Sequence, residues 1–138
     1  MQAHVLRLRP GDDLRQKLLA YVQAQSLEAG AVLTCVGSLT ELSLRLANQE
    51  EATTWKGHFE IVSLVGTLSA SGGSHLHLSV SDGTGRTLGG HLLDDCLVYT
   101  TAEIVLAALP ALQFTREIDP TYGYYELVAK PRGQELTK

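Results

Sequence analysis

The segment from Gly72 to Leu93, GGSHLHLSVSDGTGRTLGGHLL, admits few folds. Apolar and polar residues alternate on both sides of Asp82-Gly83-Thr84-Gly85, a composition that marks a turn between two strands. A three-residue loop of Gly83, Thr84 and Gly85, with Gly85 in the left-handed conformation, sets His91 opposite His77. Residues two apart share one side of a strand. One face of the hairpin therefore carries His75, His77, Ser79, Gly89, His91 and Leu93. The other carries Leu76, Leu78, Val80, Leu88, Gly90 and Leu92 and reads as core. A two-residue loop would shift the register by one and send His91 to the apolar face. The apolar pattern and the histidines thus select the same register.

Three imidazoles converging from adjacent strands suit a divalent metal. Zinc takes neutral imidazole nitrogens at about 2.0–2.1 Å, and a site with three protein ligands keeps a position open for water or substrate. We expect His75, His77 and His91 to hold zinc or another divalent transition metal, with Gly89 beside Ser79 leaving the open side uncrowded. The plainer alternative is a pair of hairpin surface histidines, and the third histidine in phase weighs against it. No fourth protein ligand is identifiable by motif.

An open metal position can activate water or polarise a carbonyl, and a general acid or base must then stand nearby. Glu103 is the candidate catalytic residue, because it interrupts the apolar run LVYTTAEIVLAAL and a carboxylate is seldom buried without a partner. Its alternative is an exposed strand carboxylate or a structural ion pair. Arg45, on an alternating strand, is a candidate for fixing an anionic ligand. Ser79 is a candidate ligand-binding residue beside the metal. Each also reads as an ordinary strand residue. His4 and His58 bear no phase relation to the trio and read as strand-end histidines.

The rest of the chain supplies a scaffold. Val5 to Arg9 alternates as a first strand, and Asp12 or Asp13 caps a helix through about Ser26, with Leu14, Leu18, Tyr21 and Val22 at helical spacing. Gly30 is expected to end that helix. Ala31–Gly37 reads as a short buried strand turned by Gly37-Ser38, Glu41–Asn48 as another strand, and Gln49–Lys56 as a polar loop. Trp55 in that loop reads as a lid or interface residue. His58–Ala70 reads as a central strand in which Gly66 marks a bulge or close approach. Leu97–Val105 and Gln113–Ile118 are further strands, and Tyr124–Val128 is expected to close the sheet. The class is therefore α+β, a mostly antiparallel sheet of about eight strands with one main helix.

One domain over residues 1–130 and a polar tail at 131–138 account for the 138 residues, of which 44% are hydrophobic. No apolar run approaches the ~20 residues of a membrane span. The opening MQAHVLRLRPGDD has no apolar signal core, so a cytoplasmic location is expected. Cys35 and Cys96, in apolar surroundings, read as buried thiols.

Taken in order, RLRPGDDL, VLTCVGSL, GHFEIVSLVGTLS, HLHLSVSDGTGRTLGGHLL, VYTTAEIVL and REIDPTYGYYEL resemble the PPC (plant and prokaryote conserved) domain, over the chain to about Ala129. The resemblance implies a compact β-rich fold and a homotrimer, with Gly66 and Trp55 plausible at its interface. It also implies the DNA-associated regulatory role commonly assigned to prokaryotic members. Plant members add an AT-hook, a short Arg-Gly-Arg-Pro element. The nearest match here, Pro131-Arg132-Gly133-Gln134, has a single arginine and no Arg-Pro continuation. Phosphate binding is driven by clustered Lys and Arg, whereas 15 acidic residues outnumber 11 basic ones and the net charge is −4. The fold is also similar to acetolactate decarboxylase, where histidines hold a catalytic metal; His75, His77 and His91 are the residues that match. Two functions therefore compete: a DNA-associated regulator, and a zinc-dependent enzyme or sensor for a small carbonyl- or carboxylate-bearing metabolite.

Overall fold

A computed structural model describes residues 1–133. Of the expected polar tail, residues 134–138 lie outside the described residues. Along the chain come β1 (Gln2–Leu8), α1 (Leu14–Ala24), β2 (Gly30–Arg45), β3 (Ala52–Leu68), β4 (His75–Ser81), β5 (Thr87–Leu92), β6 (Leu97–Ala108), β7 (Leu112–Asp119) and β8 (Tyr124–Pro131). The expected class holds: an antiparallel β-rich fold with a single helix among the described residues.

Six strands form one sheet in the order β1-β6-β2-β3-β4-β5. The end of β2 also pairs with β5, through Leu44–Leu92 and Arg45–His91, so β2, β3, β4 and β5 close upon themselves. Alternation fills the inside: Leu6 and Leu8 of β1, Leu42 and Leu44 of β2, Leu76, Leu78 and Val80 of β4 and Ile104 and Leu106 of β6 are buried in one core cluster. Helix α1 starts at Asp13, whose carboxylate accepts a hydrogen bond from the Gln16 backbone N–H at 3.0 Å. It buries Leu14, Leu18 and Val22 in that cluster. Cys35 and Cys96 are buried free thiols, pushed up to about 12 and about 11, chiefly by burial.

Four local expectations are corrected. Gly30 does not end the helix; Ser26 takes the left-handed step (φ 51°), and Gly30 opens β2. Gly37-Ser38 does not turn the chain, since β2 runs unbroken for 16 residues. Gly37 is there for close approach: a Cβ on it would lie 2.1 Å from the Thr101 carbonyl oxygen. The expected loop before Lys56 is partly strand, because Ala52–Lys56 pairs with Glu41–Arg45. Its polarity marks a solvated sheet face rather than a loop, and Trp55, opposite Leu42, packs against the core from within β3. Finally, β8 does not close the main sheet. It pairs with β7 alone as a two-stranded ribbon. The ribbon is anchored by buried Phe114, whose N–H donates to the Glu28 carbonyl (2.9 Å) and whose carbonyl accepts from the Ser69 hydroxyl (3.1 Å). No helix among the described residues is long and apolar enough to cross a membrane.

Candidate metal centre

The centre begins with a turn. Asp82 N–H donates to the Arg86 carbonyl and Gly85 N–H to the Asp82 carbonyl, each at 3.0 Å, and Gly85 takes φ 83°. The Asp82 carboxylate accepts from the Thr84 hydroxyl (2.6 Å), the Thr84 N–H (2.9 Å) and the Arg86 N–H (3.2 Å). These bonds, that of the Thr84 hydroxyl foremost, lower the Asp82 pKa. The three-residue loop sets the register His77–His91, Leu78–Gly90 and Ser79–Gly89. Two glycines give the strands room here: a Cβ on Gly89 would lie 2.8 Å from the Leu78 carbonyl oxygen, and one on Gly66 of β3 would lie 2.1 Å from that of His75.

The register brings the three histidines together. His75 and His91 are half-buried and His77 is exposed. Their ring centroids are 4.8, 5.1 and 5.7 Å apart. Nε2 of His75 lies 3.1 Å from Nε2 of His77, and one nitrogen from each ring falls within 4.8 Å of the others. Tetrahedral zinc with imidazole ligands separates its nitrogens by about 3.3 Å. The His75–His77 pair, at 3.1 Å, comes near that spacing. Three convergent imidazole donors suit a divalent transition metal in donor type. No other group of three such side chains comes together among the described residues.

The surroundings of His75 and His91 favour the neutral ring, the form that ligates a metal. Burial first, then Arg45, then the other two histidines, pushes His91 down to about 4. His75 is lowered by burial, His77 and Arg116, with Glu126 opposing.

The trio opens into a cleft of about 640 Å³. Arg45 at the end of β2 and the following residues form one wall; Arg116, Tyr124, Tyr125 and Glu126 of the ribbon form another. Arg45 is thus brought to the histidines. Ser79 shares their face of β4, opposite Gly89, but does not line the cleft. Glu103 is exposed on β6, in register with Arg7 and Val36, and is absent from the cleft wall. His58 lies inside β3 rather than at a strand end and packs edge-on against Tyr99 at 4.6 Å. His4, within β1, shares a 2.7 Å hydrogen bond with the Tyr21 hydroxyl. Arg116 and Glu126 escaped the sequence reading, since nothing local ties the ribbon to the histidine hairpin.

The model of the Plants and Prokaryotes Conserved (PCC) domain matches residues 1–110. A protein of Synechococcus sp. (strain JA-3-3Ab) named bifunctional protein GlmU is 50% identical over 127 residues, 92% of this chain and 20% of that protein. The chain thus spans about a fifth of the length of the first curated relatives it matches. A solved structure of a hypothetical protein from Salmonella cholerae-suis is 46% identical with a TM-score of 0.93, covering 95% of this chain and 94% of that one. Two solved structures under 25% identity share the fold. One, from Bacteroides thetaiotaomicron and described as a candidate DNA-binding protein, is 23% identical with a TM-score of 0.81 and 91% coverage of both chains. The other, from Archaeoglobus fulgidus and described as metal-containing, is 22% identical with a TM-score of 0.73, covering 93% of this chain and 94% of that one.

Proposed function

The chain belongs to the Plants and Prokaryotes Conserved (PCC) domain family, and on that footing we propose that it is a homotrimeric protein holding zinc on His75, His77 and His91 and binding a small carbonyl- or carboxylate-bearing ligand beside it. The observation that carries this reading is the convergence of three imidazole nitrogens within 4.8 Å on an open cleft. The metal would supply a Lewis-acid position facing that cleft. The protein supplies the rest. The hairpin register aims the rings, and burial lowers the pKa of both His75 and His91. Arg45 offers a planar fork for a carboxylate. Glu126 is the carboxylate among the lining residues and so the group available to hold or release a proton there, in place of Glu103.

An interface between subunits is supported by the outer face of the sheet. Leu33, Val36, Val62 and Val65 are each more than half exposed, and Val65 is the register partner of His77. Exposed apolar residues grouped beside a polar site are a common mark of protein contact.

A DNA-associated role is the second reading, favoured by the description of the Bacteroides chain and opposed by the −4 charge. One set of preparations separates the two. Metal analysis of the purified, zinc-dialysed protein is expected to give about one zinc per chain, and His77→Ala is expected to lose it while keeping its far-UV circular dichroism. Wild-type protein that retains no zinc sinks the metal reading. The same samples, mixed with duplex DNA at low salt, are expected not to bind; binding that weakens steeply as salt rises would establish phosphate contact and favour the regulatory role.

A further inference from the structure

Two guanidiniums bracket the histidines, and their charge is poorly matched. Arg45 is the register partner of His91 and extends the row Val65, His77, His91 across four strands. No carboxylate lies within ion-pair distance of it among the described residues. Arg116 stands at the other end of the trio: its Cδ lies 3.6 Å from where a Cβ on Gly73 would be, two residues before His75. The Arg116 side chain is only 18% exposed. A guanidinium carries five N–H donors. Here Nη2 donates to the Tyr125 carbonyl at 2.8 Å, and the Glu126 carboxylate stays 4.0 Å away, at the limit of an ion pair. None of the Arg116 nitrogens is both buried and unpartnered, and Arg116 lines the cleft, so its spare donors are open to water or to an anion there.

Charge counting points the same way. A divalent ion beside two guanidiniums leaves a surplus of positive charge that the single Glu126 carboxylate cannot balance. Arg45 on β2 and His77 on β4 stand in one register row two strand spacings apart, about 10 Å, which limits a ligand lying across the site to a short chain. Resting on the zinc site proposed above, we propose that the ligand is a small organic dianion with a carboxylate at each end. One end coordinates the metal beside Arg45; the other pairs with the fork of Arg116. Arg116 is then the residue that selects dianions over monoanions.

Calorimetric titration of zinc-loaded protein, its metal content measured beforehand, tests the assignment. The probes are 2-oxoglutarate and 2-oxopentanoate, which share an oxo-acid head and chain length and differ in the distal carboxylate. Wild type is expected to bind 2-oxoglutarate about tenfold tighter or more. Arg116→Gln is expected to erase that preference with zinc content and 2-oxopentanoate affinity unchanged, and Arg45→Gln to weaken both probes. Should Arg116→Gln disturb the ribbon, seen as a lowered melting temperature, Arg116→Lys keeps the charge without the fork and is expected to retain only part of the preference. Equal affinity for the two probes, no binding of either, a preference that survives in folded Arg116→Gln, or one that is undiminished in Arg116→Lys overturns the assignment. Failure to retain zinc is registered before any ligand is added and counts against the metal reading instead.

Discussion

His91 is the residue on which the chemistry of the centre is most finely set. Burial, Arg45 and the two neighbouring imidazoles hold it down to about 4 from its ordinary 6.5, and His75 moves in the same direction. In the unfolded chain these rings take up a proton near 6.5; in the metal-free fold they resist it. As pH falls through the window between about 6.5 and 4, the unfolded state binds more protons than the folded one and stability declines; above that window both states are neutral and the contribution is flat. The melting temperature of metal-free protein is therefore expected to fall through this range, and His91→Gln to flatten the fall. An unaltered slope in the variant would show that His91 is not so shifted. Glu103 shows how far residue-level reasoning reaches. An acidic residue interrupting an apolar run is compatible with a catalytic cleft or with the solvated side of a strand, and the flanking residues do not distinguish them. Its partners Arg7 and Val36, from two other strands, put it on the sheet surface.

Among the elements, the β4–β5 hairpin was legible and β2 was not. Turn chemistry and alternation specify the hairpin because its two strands are contiguous in the chain. In β2, the local sequence at Gly37 suggests a turn, although its role is to let β6 pass close by, a contact made with Thr101 that no neighbour in sequence announces. Gly66 plays the same part between β3 and β4, and it bears on the metal centre because β4 carries His75 and His77. Gly66→Ala drives a Cβ against the His75 carbonyl and is expected to cost about 2–4 kcal/mol and to weaken zinc binding. Gly85→Ala meets open space and costs only its left-handed conformation, about 1–2 kcal/mol. Denaturant midpoints of the two variants check the order; a smaller loss at Gly66 than at Gly85 would mean the strands part more easily than their packing implies.

At the scale of the molecule, apolar surface remains exposed on the face that bears the metal centre. The proposed trimer is expected to elute with a mass of about 45 kDa by light scattering, three times 14.9 kDa, and a double substitution of Val62 and Val65 to Lys is expected to reduce it. A single-chain mass for the wild type would remove the trimer. The amino-acid sequence alone determined the hairpin register, the histidine trio, a helix capped at Asp12 or Asp13 and the alternation that builds the core. Each depends on residues that are neighbours along the chain, where turn geometry and side-chain period act locally. Only the tertiary structure decided that β2 runs straight through Gly37, that β7 and β8 leave the main sheet, and that Arg45 and Arg116 meet the histidines in one cleft. Those outcomes turn on segments far apart in sequence, whose pairing follows from how the whole core closes and not from the pattern within any one of them.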